Sequence, residues 1–352
     1  MKKIILISLS FIVIFSFSLI GTNKNFNSRG SDMNIKKTRI AFGSYLIDKS
    51  GQRLLEPIAL AGSCYKGEFV AGGYFDKDIT FNIILLNNYR QIAFSIDGSE
   101  KSKNQKLFIN KNTDNKYKFY KHTIEADNVT DSLNDMILVF TQQYDEKELD
   151  TFIKDKKVHK STYLVRFNLV KDTQNNNIYN IDFSKDYKVL KNSRNALFDM
   201  FIYDKEFDGF SEAQPTYDIL KSLKINYNQI TLPISINTGT AIEGSASYNE
   251  YLEDQRLDKS ETLAVFCLLN GNLEPAIYNR EKGEKELVHF YHKKFKDVIM
   301  INPYIEINKS GINTFSAITV CYPMSNEYIA TDTYHFAKWS AGIASNEVLI
   351  IN

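Results

Sequence analysis

Residues 263–278, LAVFCLLNGNLEPAIY, decide the fold class. The apolar run from Leu263 to Leu269 ends at Asn270-Gly271, and a second, alternating segment follows. An Asn-Gly pair between two apolar runs is a strong hairpin signal, because a type I′ turn needs positive φ at both central residues. The first run is apolar on both faces, as in a central strand. Pro275 fits only an edge strand or a bulge, because it has no N–H to donate.

Similar strand signals occur throughout the first half of the chain. Segment 79–98, ITFNIILLNNYRQIAFSIDG, has two apolar-rich runs around Asn87-Asn88, and Asp97-Gly98 ends the second run. Further alternating or β-branched runs occupy residues 38–47, 54–60, 117–124, 136–142 and 162–170. Short strands at this spacing are typical of a sandwich or a barrel, because parallel α/β folds place longer helical segments between strands. Residues 145–157, DEKELDTFIKDKK, are the one clear helical candidate among these runs, with a narrow apolar side.

A polar stretch without periodicity, residues 172–224, separates these strands from a second set. The second set comprises residues 228–236, 261–269, 273–278, 285–292, 296–307 and 313–322. Six strands in about 100 residues fit one immunoglobulin-like sandwich. The sequence therefore predicts a mainly β chain with two tandem immunoglobulin-like antiparallel β-sandwich domains after an N-terminal signal or anchor helix.

The N-terminus predicts export. Lys2 and Lys3 precede the uncharged apolar run from Ile4 to Ile20, as in a secretory signal peptide. The cleavage signal is poor, and a helix of this length spans about 25 Å, so an uncleaved membrane anchor is the alternative. We expect an extracytoplasmic protein, secreted or anchored, that meets the membrane only through this segment.

The predicted domain organisation has six parts. They are a signal peptide or membrane anchor (1–21), a flexible linker (22–35), a first sandwich (36–200), a connection (201–226), a second sandwich (227–325) and a C-terminal tail with a final strand (326–352).

Composition and motifs exclude several classes of function. Lys and Arg total 43 and Asp and Glu total 42, so no broad basic field is present to attract nucleic acid. The sequence has no G-x-S-x-G, H-E-x-x-H or C-x-x-C motif and no glycine-rich phosphate loop. His289 and His292 would lie on opposite faces of a strand, which argues against a shared metal site and favours solvent-exposed histidines. We therefore predict no catalytic residue from motifs.

The cysteines leave two alternatives open. Cys267 and Cys321 lie in predicted strands of one domain and could form a disulfide across the sandwich if their Cα atoms lie within about 7 Å. The favoured alternative is that both are buried free thiols that pack as small apolar residues. Cys64 lies in the turn-like AGSCYKG segment, where no neighbouring histidine supports a reactive thiolate.

A partial calcium-loop pattern occurs in DKEFDGF, residues 204–210. Asp204, Glu206 and Asp208 alternate and Gly209 follows, as at the start of a calcium loop. The twelfth position, where a bidentate acid should lie, is Pro215, and the nearest substitute is Glu212. A solvated acidic turn between domains is the favoured alternative, so we expect no cofactor, with calcium as the single candidate.

Aromatic residues gather in EYIATDTYHFAKW, residues 327–339. Tyr328, Tyr334 and Trp339 could form a flat platform for a sugar, because the apolar face of a sugar covers an aromatic ring well. The favoured alternative is that they pack the tail onto the second sandwich, since NEVLIIN, residues 346–352, predicts a strand soon afterwards.

The sequence resembles uncharacterised exported proteins of Gram-positive bacteria that carry tandem immunoglobulin-like domains. The resemblance lies in the signal segment, in FNIILLNNYRQIAFSIDG, and in LAVFCLLNGNLEPAIY followed by KELVHFYH. It covers most of residues 36–325 as strand patterning, and it implies fold and compartment only.

Two functions follow from these features. The favoured one is a non-catalytic envelope or secreted protein that acts as a binding or structural module for a surface polymer or a protein. The alternative is an exported hydrolase of a surface polymer, whose acids Asp204, Asp208 and Glu212 converge only in the fold. A working pair of carboxyls needs pKa values pushed apart by unlike environments, whereas these three acids all lie in polar sequence.

Overall fold

The computed structural model describes residues 40–54, 57–113, 116–143, 162–171, 183–184, 188–190, 199–202, 221–224, 229–231, 234–237, 260–280, 282–294, 298–307, 311–321, 323–324 and 343–351. Every regular element in these ranges is a strand, which confirms the prediction of a mainly β protein. No helix in the same ranges is long and apolar enough to cross a membrane. The predicted N-terminal segment 1–21 and the helical candidate 145–157 lie outside the described residues.

The described part of the chain up to residue 171 forms two sheets. Its strands are β1 (Ile40–Ile47), β2 (Ile58–Ala59), β3 (Tyr65–Phe75), β4 (Ile79–Asn87), β5 (Arg90–Ile92), β6 (Phe94–Ile96), β7 (Asn104–Ile109), β8 (Lys118–Ala126), β9 (Leu133–Gln142) and β10 (Thr162–Val170). Sheet 1 has the order β1-β3-β8-β6, and sheet 2 has the order β2-β10-β9-β4-β5, with β7 also paired to β4. All pairs are antiparallel except β2 with β10.

The later part of the chain contributes the remaining strands. They are β11 (Phe183–Ser184), β12 (Lys188–Leu190), β13 (Asp199–Ile202), β14 (Lys221–Lys224), β15 (Gln229–Thr231), β16 (Ile234–Asn237), β17 (Ser260–Leu269), β18 (Asn272–Glu274), β19 (Ile277–Asn279), β20 (Glu284–Glu286), β21 (Val288–Lys294), β22 (Val298–Ile301), β23 (Tyr304–Glu306), β24 (Ile312–Cys321) and β25 (Ile343–Ile351). Sheet 3 has the order β11-β21-β17-β24-β25-β14, with β18 also paired to β17. Sheet 4 has the order β12-β22-β16-β13, and β15-β23 and β19-β20 form two-stranded sheets.

The hairpin predicted from the opening stretch is present. Asn270 and Gly271 have φ of 52° and 77°, as a type I′ turn requires, and Leu269 pairs with Asn272. The preceding strand β17 is central, between β21 and β24, and its residues from Leu263 to Leu269 are buried.

The turn after β4 lies one residue later than the sequence indicates. Asn87 still pairs with Arg90, and the two residues with positive φ are Asn88 and Tyr89, at 47° and 65°. A tyrosine rarely adopts this conformation, so tertiary contacts must hold it there.

Sheets 1 and 2 pack face to face around an aromatic core. Phe69 and Phe75 from sheet 1 meet Phe81 and Phe140 from sheet 2, and all four rings are fully buried. Phe69 and Phe140 have ring centroids 5.9 Å apart, and Phe81 and Phe140 meet edge to face at 6.4 Å. This packing makes the first region a β-sandwich.

The opposite face of sheet 2 is covered by sheet 3. Successive side chains of a strand point to opposite faces, so Ile84 and Leu86 of β4 point away from the aromatic core. They pack in one cluster with Phe266 and Leu268 of β17. Ile137, Val139, Ala264, Ile318 and Val320 complete the cluster. Sheet 2 is therefore buried on both faces, which explains why β9 is buried along its whole length.

A buried carboxylate lies at the edge of this contact. Asp135 accepts two hydrogen bonds from the Arg166 guanidinium, at 2.8 and 2.7 Å, and both side chains are almost fully buried. The Tyr89 hydroxyl and the Met324 backbone N–H donate to the same carboxylate, each at 2.9 Å. One acid thus joins strands of sheet 2 to the segment that follows β24. The number of independent domains stays a prediction.

Candidate functional site

Two glycines lie side by side on the outer face of sheet 1. Gly72 of β3 pairs with Gly43 of β1 on one side and with Phe119 of β8 on the other. A Cβ on Gly72 would overlap the Lys118 carbonyl oxygen and lie 2.7 Å from the Phe119 Cα. The backbones of β3 and β8 are therefore too close for any side chain at position 72, and glycine is required there.

The Phe119 ring lies along the sheet surface above these glycines. Its Cε1 atom is 3.5 Å from the position that a Cβ of Gly43 would occupy. Gly43 lies on β1, which is separated from β8 by β3. Adjacent strands are about 4.8 Å apart, so a ring standing upright on β8 could not reach Gly43. The ring is 37% exposed. Because the ring lies over glycines and its outer side is open to solvent, Phe119 presents a flat, exposed apolar surface.

Three tyrosines extend this surface. Tyr74 and Tyr117 meet edge to face with ring centroids 6.2 Å apart, one rung beyond Gly72 and Phe119. Tyr45 lies on the opposite side, on β1, where it pairs with Val70. The Arg53 guanidinium lies 5.8 Å from the centroid of the Tyr45 ring. We refer to Tyr45, Tyr74, Tyr117 and Phe119, with Gly43 and Gly72 beneath them, as the aromatic face.

Charges beside the aromatic face are paired. Lys121 Nζ lies 2.7 Å from Glu68 Oε2 on the same surface of sheet 1. Further along the strands, Lys101 Nζ contacts Glu125 at 2.9 Å and Asp127 at 2.6 Å. These pairs are exposed and add little to stability, and in each of them carboxylates compensate the ammonium charge.

Cys64, Glu125 and Asp127 bring three potential metal ligands within 4.8 Å of one another. Burial, followed by a hydrogen bond to Asp127, raises the pKa of the Cys64 thiol, whereas metal binding needs the thiolate. Hydrogen bonds from Lys101 lower the pKa of both carboxyls. The Lys101 ammonium already contacts both acids, and Lys66 Nζ lies 3.7 Å from Glu125, so the geometry fits an ion-pair cluster better than a metal centre.

A carboxyl pair in unlike environments occurs near β18 and β23. Burial, and secondarily the charge of Glu306, raise the pKa of Glu274. Glu306 instead contacts Lys285 at 2.8 Å, and the same ammonium lies 4.2 Å from the centroid of the Tyr304 ring. Burial therefore disfavours the ionised form of Glu274, whereas Glu306 is ion-paired with Lys285.

The disulfide alternative for Cys267 and Cys321 is wrong. Cys267 is a buried free thiol. The two cysteines lie on neighbouring strands of sheet 3, and not across a sandwich, because Cys267 pairs with Ala317 and Cys321 pairs with Leu263. Four positions along a strand correspond to about 13 Å, beyond the reach of a disulfide.

The strand histidines were predicted on opposite faces and exposed. His292 is exposed, but His289 is only 1% exposed. Its Nε2 atom lies 3.0 Å from the Ile277 carbonyl oxygen and 3.2 Å from Glu286 Oε2. The prediction of exposure is therefore wrong for His289, because it lies on the buried face of β21 with Tyr291 and Lys293, whereas His292 lies on the other face.

The remaining predicted site residues stay untested. The calcium candidates Asp204, Glu206, Asp208 and Glu212 lie outside the described residues, and so do the platform residues Tyr328, Tyr334 and Trp339. The aromatic face was not predicted from the sequence. Its available signals were KYKFY, residues 116–120, and the glycines of YKGEFVAGGYF, residues 65–75.

Comparison with known proteins gives weak similarity to several solved structures. No protein-family model matches the sequence, and no curated protein matches it. A PapD-like domain of human CEP192 aligns at 10% identity and a TM-score of 0.19, covering 33% of this chain and 77% of that domain. Red sea bream transglutaminase aligns at 6% identity and a TM-score of 0.22, covering 90% of this chain and 32% of that protein. The calcium-binding domain CBD12 of CALX1.1 aligns at 7% identity and a TM-score of 0.20, covering 83% of this chain and 96% of that domain. Similarity at this level carries no inference about ligand or activity.

Proposed function

We propose that this chain is an exported, non-catalytic binding module of the cell envelope that holds a polysaccharide on its aromatic face. The observation that carries the proposal is the Phe119 ring, which lies flat over Gly43 and Gly72 with its outer side open. The C–H face of a sugar ring is flat and apolar, so it can cover an aromatic ring while its hydroxyls stay in water. Export is supported by the Lys2-Lys3 pair before the apolar run of Ile4 to Ile20.

The surroundings of the ring fit this ligand class. Contiguous exposed apolar surface on a soluble protein commonly marks an interaction site. Tyr74 and Tyr117 enlarge the surface beside Phe119, and the Lys121–Glu68 pair and Arg53 provide polar groups at its border. Hydroxyls at the edge of a stacked sugar can exchange hydrogen bonds with such groups.

The test is retention of the full chain by insoluble chitin and cellulose in a co-sedimentation assay. The variant is Phe119→Ala. The matched control is Phe108→Ala, because Phe108 is 58% exposed but lies on β7 of sheet 2. Removing one stacking ring should weaken retention about tenfold or more. This estimate is taken by analogy from the free energy of stacking a nucleobase on an aromatic side chain. The control should bind as the original chain does. Failure of both polysaccharides to retain the chain, or equal retention of the Phe119 variant, would contradict the proposal.

A second function, hydrolysis of a surface polymer, is favoured by one observation. Glu274 has a raised pKa beside Glu306, which is paired with Lys285, as an acid and its partner carboxylate require. Release of reducing sugar from chitin or cellulose that disappears in Glu274→Gln and persists in Glu284→Gln would establish this function in place of the first. Glu284 suits the control because it is an exposed acid on neighbouring β20.

A further inference from the structure

The aromatic face contains ring positions on successive rungs of sheet 1. Phe119 lies on the rung with Gly72 and Gly43, and Tyr45 lies two residues further, on the rung with Val70 and Lys121. Tyr117 lies two residues from Phe119 in the opposite direction, just before β8. Two residues along a strand span about 7 Å, so Tyr117 and Tyr45 are about 14 Å apart along the strands. They are two strand spacings, or about 10 Å, apart across the sheet, which gives an oblique separation of about 17 Å.

The path between these rings is shallow. Tyr117 is 42% exposed and Phe119 is 37% exposed, so both are accessible from above the sheet. Gly43 and Gly72 carry no side chains that would rise between the ring positions. A polymer could therefore lie across the face along these rings, whereas a pocket would accept only a chain end or a single sugar.

The paired charges indicate the character of the polymer. Glu68 already neutralises Lys121, and Glu125 and Asp127 neutralise Lys101. An acidic polymer would have to compete with these carboxylates, whereas an uncharged polymer would rely on stacking alone. From this geometry we infer that the aromatic face binds internal stretches of an uncharged polysaccharide, laid obliquely across sheet 1 from Tyr117 over Phe119 to Tyr45. The inference rests on the proposed function and specifies its ligand.

Chain length is the first test. Affinity of the full chain is measured by calorimetry for N-acetylglucosamine and for its trimer and hexamer. Because each ring position adds a contact, the trimer should bind at least about tenfold more tightly than the monomer. The same values should hold in low and high salt, because stacking is not screened. Monomer and hexamer binding with equal affinity would overturn the inference, and so would a steep loss of hexamer binding in high salt.

The flat arrangement of Phe119 is tested separately. Gly43→Val adds apolar side-chain atoms beneath the ring, at a position where a Cβ alone makes only ordinary contact. The ring should then lift from the sheet, and hexamer affinity should fall at least about fivefold although the apolar surface has increased. Gly43→Ala is the matched control and should bind nearly as the original chain does.

An unchanged circular dichroism spectrum and melting temperature show that the valine variant is folded. If it unfolds, Tyr117→Ala takes its place and should weaken the hexamer more than the monomer. Hexamer binding that survives both substitutions would overturn the oblique path. Retention of the full chain by insoluble chitin would still support the proposed function in that case, so the two failures are distinguishable.

Discussion

Replacing Asp135 with Asn should destabilise the protein severely. The substitution keeps the shape of the side chain but removes the charge that faces the Arg166 guanidinium, which is only 1% exposed. Arg166 would then be a buried cation without its counter-ion. It would also lose a bidentate contact at 2.8 and 2.7 Å, and the hydrogen bonds from Tyr89 and Met324 would weaken. Breaking a buried ion pair from one side costs about 3–5 kcal/mol, and we expect a value in this range.

The free energy of unfolding is measured by urea denaturation followed by circular dichroism. The control is Glu68→Gln, which breaks the exposed pair with Lys121 and should cost no more than about 1 kcal/mol. Tyr89→Phe removes one hydrogen bond to a charged group and should cost about 1.5–3 kcal/mol. If Asp135→Asn costs no more than the Glu68 variant, the buried network does not stabilise the contact between sheets 2 and 3, and our account of that contact is wrong.

Two further predictions follow from titratable groups. Burial opposes ionisation of Asp97, but hydrogen bonds from His122 and Thr123 outweigh it and lower the pKa of this carboxyl below 3.8. Its contribution to stability is therefore present above about pH 4 and is lost as the pH falls through the lowered pKa. Asp97→Asn, which tolerates the same positive φ, should flatten the melting-temperature profile in that acid range, and an unchanged profile would refute the assignment. Cys267 is buried, which also raises the pKa of its thiol, whereas Cys64 is exposed, so excess iodoacetamide should label Cys64 in the native protein and Cys267 only after denaturation, as mapped by mass spectrometry. Native labelling of Cys267 would show that sheet 3 opens.

Local turn chemistry made parts of the fold predictable. The type I′ turn at Asn270-Gly271 depends on two adjacent residues that favour positive φ, so the sequence alone indicates it. The strand Thr162–Val170 was likewise predicted with the bounds that the structure shows. Its apolar, β-branched and aromatic residues lie between polar segments, and this pattern is also local.

The candidate site could not be predicted, because it depends on pairing between distant strands. Gly43, Gly72 and Phe119 lie far apart in the sequence, and only the order β1-β3-β8 places them on one rung. Strand β3 was itself missed, since three glycines in YKGEFVAGGYF suggest turns. The structure gives Gly72 another role, the close approach of two backbones.

The contact between sheets 2 and 3 could not be predicted from the sequence either. A run such as FNIILLN predicts a strand buried on both faces, but it does not identify the second covering layer. Tyr89 was not predicted to occupy a turn position. Its positive φ is compatible with folding because its hydroxyl binds Asp135 and its ring meets Phe266 and Phe290 edge to face. These contacts form only in the folded molecule, so the local sequence does not indicate them.

A structural role of Phe119 and a role in binding predict different results for one substitution. An aromatic ring laid over paired glycines shields their backbone from water, and this alone stabilises a sheet. Phe119→Leu distinguishes the two roles, because leucine can cover Gly43 and Gly72 but offers no flat face for stacking. If Phe119 serves binding, Phe119→Leu should retain the melting temperature of the original chain and lose chitin retention as Phe119→Ala does. If Phe119 is only a cover, the leucine variant should match the original chain in both measurements, and the polysaccharide must be held elsewhere.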